Sequence, residues 1–456
     1  TGLQFPVDAS GGRSTTHAGK SILSAALRGA GTPEGDALAA GVEAEDDWRF
    51  RYPEHFLALV RYAASCPDLN LKISRAGLDY IHDQFEFVDD SGIASKFSEH
   101  MTGVPSLETF DTVRIDGSAD KGALPVRISY GGEQLQGEAL RRQLAAWADY
   151  GCIEPDVATS IDAVSNDSLD LQGKHYVLIG AGSAIGPLQT LLRHGATVVC
   201  LDLPGAWGAG PSSTWQRIIE LARESSGAVI IPTASGVTVT DDASLIQAAG
   251  CNMLEQPGHI LKWLSAIAET EQLTIGNYSY LDGDLFVKLT VCADAIIDAL
   301  CRQRPDTSVA FLGSPTDIHV VPEEAFQASR RNYLTHDGRG LEKGVNHLSK
   351  GKYFVSNEIP PVYDQDARPI RLVDGTTTLQ GPNYLMAKRI QHWRSMVEFD
   401  AGHTVSSNVA PATRTRSVMS NQAFTWAFGG MPYFKPHVIF DEDTCSTLMA
   451  ALLISD

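Results

Sequence analysis

The sequence of 456 residues has little cysteine and no paired cysteine motif. No CxxC pair occurs, which argues against both a disulfide framework and a zinc site. A reducing compartment follows, so we predict a cytoplasmic protein, with an organellar matrix as the alternative. The seven cysteines are scattered along the chain as Cys66, Cys152, Cys200, Cys251, Cys292, Cys301 and Cys445.

Basic runs and long apolar runs are also absent. The formal net charge of −19 would repel a phosphate backbone, and no cluster of Lys and Arg offers a local exception. Nucleic acid is therefore not expected as a partner. No apolar run approaches the roughly 20 residues that a bilayer-spanning helix needs, so we expect no membrane span.

Hydrophobic residues make up 43% and charged residues 20% of the chain, as in ordinary folded proteins. The length exceeds what a single core usually serves, which predicts two domains or one large elaborated domain. We expect a flexible lead over 1–20, a mixed α/β accessory domain over 21–160, and a second domain over 170–456. The boundary is indicated by Gly151, typical of a helix end, and by Pro155, typical of a helix start.

The second domain alternates short apolar runs with helical runs, which is typical of a doubly wound parallel sheet in the α/β class. The alternation breaks down over about 321–381, where we predict an insertion that serves as a substrate lid. The expected strands are HYVLIG, ATVVCLDL, GAVIIP, LTIGNY, SVAFLGS and HTVSSNVAP. The expected helices cover about 185–194, 214–224, 256–269, 284–303 and 384–399.

A glycine-rich turn follows the first of these strands. Glycines allow a tight turn and a close approach of the backbone to a pyrophosphate, and the start of the next helix offers free N–H groups to its charge. Strand, turn, helix and second strand occur in the order of a Rossmann-type dinucleotide site, although a purely structural βαβ unit is the alternative. The candidate cofactor-binding residues of the turn are Gly180, Gly182, Ser183, Ala184, Ile185 and Gly186.

An acidic residue ends the second strand of this unit. Asp202 lies 22 residues after Gly180, close to the spacing at which a carboxylate accepts hydrogen bonds from the adenosine ribose. The carboxylate would repel a 2′-phosphate, and no Lys or Arg stands in the turn or just after Asp202 to neutralise one. The sequence therefore favours NAD(H) over NADP(H).

Farther along the chain, Tyr384 and Lys388 lie four residues apart within a predicted helix, so their side chains share one face. A phenol with a pKa of about 10 is a poor acid or base at neutral pH, but a neighbouring ammonium stabilises the phenolate and lowers that pKa. A surface pair without function is the alternative for such spacing. A strand that ends in Pro411 and is followed by threonines comes after this helix.

The glycine spacing G-x-x-x-[AG]-x-G, the YxxxK helix and the strand ending in Pro411 resemble the short-chain dehydrogenases/reductases. The chain is similar to a divergent member with an N-terminal extension and a long insertion before the YxxxK helix. The resemblance implies that Tyr384 exchanges a proton with substrate, and that Lys388 lowers its pKa and binds the nicotinamide ribose. It also implies that Ser314 polarises the substrate oxygen and that Pro411 borders the nicotinamide.

Several details depart from that family. Ile179 stands where Thr is usual, and the Asn-Ala-Gly signature is absent, with Asn277 as a substitute. Ser314 precedes the tyrosine by 70 residues instead of about a dozen, so the insertion must loop out for this serine to serve. If it does not, the hydroxyl comes from Ser356 or from one of the threonines at 376–378.

These features predict an NAD(P)(H)-dependent oxidoreductase of the carbonyl reductase or alcohol dehydrogenase type, acting on a small-molecule, acyl or other bulky substrate. The alternatives are a non-catalytic dinucleotide-binding module and an NAD-dependent epimerase or dehydratase. A homo-oligomer and a larger enzyme assembly are both left open. No metal is assigned, because Asp317 and His319 form a pair without further ligands.

Overall fold

A computed structural model describes residues 1–103, 107–166, 168–335, 339–350, 356–420, 422–431 and 438–456. The helices before residue 170 are α1 Thr15–Gly29, α2 Pro33–Glu43, α3 Trp48–Ala64, α4 Pro67–Gln84, α5 Phe97–Thr102, α6 Gly137–Tyr150 and α7 Pro155–Asn166. The strands of this segment are β1 Gly2–Gln4, β2 Glu86–Val88, β3 Ala94–Lys96, β4 Asp111–Asp116, β5 Leu124–Pro125, β6 Ile128–Tyr130, β7 Glu133–Leu135 and β8 Ser168–Leu169.

Strands and helices alternate after residue 170. The strands are β9 His175–Ile179, β10 Thr197–Leu201, β11 Ala228–Thr233, β12 Leu273–Asn277, β13 Ser308–Gly313, β14 Ile318–Val321, β15 Glu358–Tyr363, β16 Pro369–Asp374 and β17 Val405–Val409. The helices are α8 Leu188–Arg193, α9 Ala209–Glu224, α10 Asp242–Ala248, α11 Pro257–Ala268, α12 Asp284–Gln303, α13 Glu323–Thr335, α14 Arg339–Ser349, α15 Pro382–Asp400, α16 Arg416–Met419, α17 Gln422–Gly430 and α18 Glu442–Ser455.

The central sheet has seven strands in the order β17-β13-β12-β9-β10-β11-β4. The first six are parallel to one another, and their order is compatible with a Rossmann-like sheet, in which the direction of strand addition reverses between β9 and β12. The predicted α/β class is confirmed as far as a mostly parallel central sheet with helices around it. β4 adds an antiparallel edge strand beside β11, which sequence did not predict.

Helices cover both faces of the sheet, which is why β10 is buried along its whole length. One face packs its apolar side chains against α11, α12 and α15, and the other packs against α8, α9 and α18. None of the described helices is long and apolar enough to cross a membrane.

The first residues do not form a flexible lead, and the prediction for 1–20 is wrong. β1 pairs with β2, Leu3 is 1% exposed and α1 begins at Thr15. The accessory domain expected over 21–160 is not a self-contained unit, because α1, α3 and α4 share one hydrophobic core with α12, α15 and one face of the sheet. Helical periodicity shows which face of a helix is apolar, but not what that face packs against.

The helix end and the helix start expected around residue 150 are both present. Gly151 adopts φ +88 and its N–H donates to the carbonyl of Trp147 at 2.9 Å, so α6 ends in a left-handed cap. Pro155 opens α7 as expected. The segment before α6 contains the short strands β5 and β6.

The insertion over 321–381 contains regular structure, contrary to the sequence-based expectation. β14, β16 and β15 form an antiparallel sheet, and α13 and α14 lie between β14 and β15. Residues 336–338 and 351–355 of the insertion lie outside the described part of the chain. These elements escaped detection because the register of β15 shifts between Ile359 and Val362 and because α14 buries no side chain among its described residues.

Candidate active site

The glycine-rich turn lies at the crossover between β9 and β12. Gly180 adopts φ +82, and a Cβ at this position would lie 2.7 Å from the Cα of Ser279. At Gly182 a Cβ would lie 2.3 Å from Cγ2 of Thr214 and 2.9 Å from Oδ2 of Asp202. Both positions therefore need glycine, and the turn keeps its backbone close to the floor of a cavity.

The helix after the turn is shorter than expected. α8 begins at Leu188 and has six residues, and Pro187 before it has no N–H to offer a ligand. The helix predicted over about 185–194 is therefore present, but it begins three residues later than expected. The available donors are the backbone N–H groups of Ala184 and Ile185, for which the described residues supply no acceptor.

The last glycine of the turn is fixed from two sides. The N–H of Gly186 donates to the carbonyl of Ser183 at 3.2 Å, and its own carbonyl accepts from the Ser446 hydroxyl of α18 at 2.7 Å. The C-terminal helix is thus tied directly to the turn. Sequence reasoning gave this helix no part in the site.

Asp202 is bonded to the turn itself. Its carboxylate accepts the N–H of Gly182 at 2.7 Å and that of Leu203 at 2.8 Å. Burial raises the pKa of Asp202, while these two amides and the charge of Arg217 act in the opposite direction. Arg217 of α9 also donates to the carbonyl of Gly182 at 2.6 Å. Sequence reasoning missed this arginine because it is supplied by a later helix.

The serine and tyrosine expected to act together are in contact. Tyr384, in the first turn of α15, donates from Oη to Oγ of Ser314 at 3.0 Å. The serine follows β13, is 4% exposed, and lies 2.8 Å from the hydroxyl of Thr316. Its carbonyl is bonded to Nε2 of His319 at 2.7 Å. The 70 intervening residues therefore loop out and return.

The alternative residues bond to other groups. The carbonyls of Thr377 and Thr378 accept hydrogen bonds from Tyr52 and Arg49 of α3 at 2.9 and 2.8 Å. The hydroxyl of the first threonine in this run donates to a neighbouring carboxylate, and Oγ of Ser356 accepts the N–H two residues on. No contact between any of them and the tyrosine hydroxyl is present among the described residues. Ser314 is the hydroxyl that the fold brings to the tyrosine.

Lys388 lines the same cavity as Tyr384, one helical turn farther along α15. Its Nζ donates to the carbonyl of Leu312 at 2.9 Å and to Oε1 of Gln391 at 3.2 Å. Burial lowers the pKa of Lys388 to about 8, against the opposing charge of Asp317. Burial raises the pKa of Tyr384, so the expected lowering of the phenol pKa by the lysine is wrong for this arrangement.

A buried ion pair lies behind the tyrosine and lysine. Asp317 is fully buried and its Oδ1 lies 2.7 Å from the guanidinium of Arg389, while Oδ2 lies 3.5 Å from Nε2 of His392. Burial alone would raise the pKa of Asp317, but the charge of Arg389 outweighs it and the pKa is lowered. These contacts give Asp317 a structural partner, and sequence analysis had considered it only with His319 as a metal pair.

Two further predicted residues lie on the same cavity. Asn277 ends β12, and its Oδ1 accepts the Ser279 hydroxyl at 2.7 Å. Pro411 follows β17, and its carbonyl accepts the Thr413 hydroxyl at 2.7 Å. The cavity has a volume of about 2350 Å³, and its walls include the glycine turn, Asp202, Ser314, Tyr384 and Lys388.

One cluster outside this cavity has the composition of a metal site. Cys301, Glu398 and His403 place one ligand atom each within 4.8 Å of one another. The guanidinium of Arg394 lies 2.8 Å from Glu398, and Nδ1 of His403 bonds to the Thr307 carbonyl at 2.8 Å. A cation would compete with the buried arginine, so these contacts favour an ion-pair network.

The sequence matches no known family model and no curated protein in the comparisons made. The resemblance to the short-chain dehydrogenases/reductases therefore depends on the motif residues and their order. What the geometry adds is the contact between Ser314 and Tyr384 and the common cavity. A neutral phenol beside a hydroxyl can donate a proton to a substrate oxygen that binds between them.

Proposed function

We propose that the protein is a nicotinamide-dinucleotide-dependent oxidoreductase that interconverts a carbonyl compound and an alcohol. The observation that carries this proposal is the 3.0 Å hydrogen bond between Tyr384 Oη and Ser314 Oγ, in the cavity that also contains the glycine turn. Two hydroxyls at this distance can both contact one substrate oxygen.

The turn suits a dinucleotide. Its glycines leave room that a Cβ would fill, and the N–H groups of Ala184 and Ile185 are available to a phosphate. Asp202 keeps lone pairs free for ribose hydroxyls, which favours NAD(H), while Arg217 beside it moderates that preference. The bound cofactor supplies or accepts the hydride, and the protein supplies position and proton transfer.

The protonation states favour reduction at neutral pH. Burial raises the pKa of Tyr384, which keeps the phenol neutral and able to donate its proton to a carbonyl oxygen. Ser314 orients the phenol and offers a second hydrogen bond to the same oxygen. Lys388 has a pKa of about 8 and is assigned to the ribose, as in the resembling family.

One observation favours a second candidate, a dinucleotide-binding module without catalysis. Two of the three N–H donors of Lys388 go to Leu312 and Gln391, so only one is left to contact a ribose. An epimerase or dehydratase would use the same tyrosine, and it would leave the amount of NADH unchanged over a full turnover.

The test combines binding with turnover. NADH binding is measured by fluorescence, and oxidation of NADH is followed with a panel of ketones and aldehydes. Tyr384→Phe should lower turnover by about 10²- to 10⁴-fold without changing NADH affinity. Tyr280→Phe is the matched control, since Tyr280 lies beside Tyr384 but donates to Asp282 at 2.8 Å. NADH binding without turnover across the panel would overturn the oxidoreductase and favour the module.

A further inference from the structure

Residues 374–381, which we call the threonine segment, line the cavity beside the proposed reaction site. They connect the end of β16 to the start of α15, the helix that carries Tyr384. The segment therefore borders the same space as the tyrosine. Its members that line the cavity are Asp374, Gly375, Thr377, Leu379 and Gln380.

The start of the threonine segment packs against the residues that follow Ser314. The N–H of Gly375 donates to the carbonyl of Asp317 at 2.9 Å, and a Cβ at Gly375 would lie 2.1 Å from the carbonyl oxygen of Pro315. Only glycine permits this approach. The other end of the segment leads into the first turn of α15, where Tyr384 lies. The segment thus runs from the surroundings of Ser314 to those of the tyrosine.

The middle of the threonine segment is held from outside the cavity, by α3. The carbonyl of Thr377 accepts a hydrogen bond from the hydroxyl of Tyr52 at 2.9 Å, and that of Thr378 accepts one from Arg49 at 2.8 Å. The Thr377 carbonyl also accepts the N–H of Gln380, at a longer 3.3 Å. Neither Tyr52 nor Arg49 is among the described residues that line the cavity. They can influence a bound molecule only through the segment.

Tyr52 is the firmer of the two anchors. It is 1% exposed, and its ring packs edge-on against that of Phe56 at a centroid distance of 6.3 Å. A ring packed in this way has little freedom, so its hydroxyl meets Thr377 at a fixed place. Arg49 is exposed, and a Cβ at Gly381 would lie 3.8 Å from its guanidinium carbon. Loss of the tyrosine hydroxyl should therefore loosen the segment more than loss of the arginine.

The threonine segment is separate from the glycine turn. Among the described residues, no hydrogen bond joins residues 374–381 to residues 180–186 or to Asp202. A displacement of the segment should therefore change how a substrate binds beside Tyr384 and leave the dinucleotide in place.

We propose that Tyr52 and Arg49 are positioning residues, which hold the threonine segment against a carbonyl substrate bound between Ser314 and Tyr384. This inference rests on the proposed function. It gives α3 a part in substrate binding but not in NADH binding. The buried ion pair of α15 fixes Tyr384 separately, so proton transfer should be little affected once the substrate is bound.

Steady-state kinetics of the full chain test the proposal, with saturating NADH and the ketone or aldehyde of the panel that is reduced fastest. Tyr52→Phe keeps the ring and removes the hydroxyl. The KM of the carbonyl compound should rise about three- to tenfold, with kcat and NADH affinity changed by less than about twofold. Arg49→Gln should raise the KM by less, and Arg49→Lys, which keeps a donor, should lie closer to the unmodified protein.

Tyr62→Phe is the matched control for the tyrosine. Tyr62 lies on the same helix, is 9% exposed, and has its hydroxyl bonded to that of Thr32. Arg51→Gln is the control for the arginine, since Arg51 of α3 pairs with Glu54 at 2.7 Å. Either control can lower the stability of α3, but neither should change the KM.

Hydrogen exchange of the substrate-free full chain measures the threonine segment directly, by mass spectrometry of peptides that cover 374–381. Tyr52→Phe should speed exchange of these amides at least about threefold, whereas Tyr62→Phe should leave it unchanged. This readout needs no turnover, so it separates the inference from the proposed function.

The outcomes distinguish the two proposals. Unaltered exchange in Tyr52→Phe, or faster exchange with an unaltered KM, would overturn the inference. A rise in KM of the same size in Tyr62→Phe would also overturn it, because the effect would then belong to α3 as a whole. Faster exchange in Tyr52→Phe without NADH oxidation across the panel would support the hold of α3 on the segment and count against the oxidoreductase.

Discussion

The glycine turn and the Ser314–Tyr384 pair line the same cavity but arise in opposite ways. The turn is local, since β9, the turn, α8 and β10 lie within one continuous segment that ends at Asp202. The pair joins residues 70 positions apart, and its support comes from a buried ion pair between Asp317, just before β14, and Arg389 of α15. A local motif can be recognised from spacing, whereas an assembled site depends on packing that spacing does not reveal.

The largest effect should come from the ion pair that supports the assembled site. Asp317→Asn leaves Arg389 buried without its charge partner, which should reduce the free energy of unfolding by about 3–5 kcal/mol, measured by urea denaturation. The control is Asp366→Asn, which breaks an exposed pair with Arg368 and should cost about 1 kcal/mol or less. Equal effects of the two variants would mean that the ion pair does not support the site.

The local motif should be sensitive at one backbone position. Gly180→Ala imposes a positive φ on alanine and a Cβ contact of 2.7 Å with backbone, so the turn must shift. We expect NADH affinity to fall roughly ten- to a hundredfold in a fluorescence titration. Gly210→Ala, at the start of α9 with open space around it, should leave affinity unchanged. Unaltered binding in Gly180→Ala would contradict the role of the turn.

The free energy of unfolding should depend on pH through a second buried cluster, which involves α15, the helix that carries Tyr384. Asp294 of α12 is bonded to Arg394 of α15 and to His82 of α4. Burial would raise the pKa of Asp294, but these cations lower it from 3.8 to about 2. A depressed folded-state pKa stabilises the protein above the unfolded value, so this contribution is lost as the pH falls from about 5 towards 2.

The expected loss is about 2 kcal/mol over the full range, measured as unfolding free energy against pH. Asp294→Asn should be less stable at neutral pH and should show a shallower acid dependence. Asp400→Asn, at an exposed pair with Arg75, should keep the acid dependence of the unmodified protein. An unchanged slope in Asp294→Asn would remove this cluster as its cause.

The smallest effect should concern the choice of cofactor, to which Asp202 and the neighbouring Arg217 contribute in opposite directions. Arg217→Ala removes a guanidinium next to Asp202, so NADP(H) affinity should fall about fivefold relative to NAD(H) affinity. Gln216→Ala on the same helix serves as the control. If the ratio of the two affinities does not change, Arg217 has no influence on the choice of cofactor.

Much of the sheet could be predicted because its signals are local. The six parallel strands were each indicated by a short apolar run, and the expected helix over 284–303 matches α12. The edge strand β4 could not be assigned to the sheet in the same way, since its partner β11 lies more than 100 residues later. Partner choice across such a distance depends on tertiary packing.

Some residues of the candidate site were predicted from the sequence, and others were missed. Ser314 was expected from the resemblance, and the structure brings it to Tyr384. Arg217 and Arg389 were missed, because a long charged side chain gives no sequence signal of the partner it will find. The pKa of Tyr384 was predicted in the wrong direction, since burial outweighs the influence of a lysine that bonds elsewhere.

By itself, the sequence determined the alternation of strands and helices, the position of the glycine turn and the acid at the end of β10. These follow from side-chain size, β-branching and backbone freedom within a few residues. Only the tertiary structure decided that the N-terminal helices share the core of the sheet, that the insertion is folded, and that α18 closes one side of the cavity. Burial is a property of the whole packed chain, and it also sets the partners and protonation of the residues in the site.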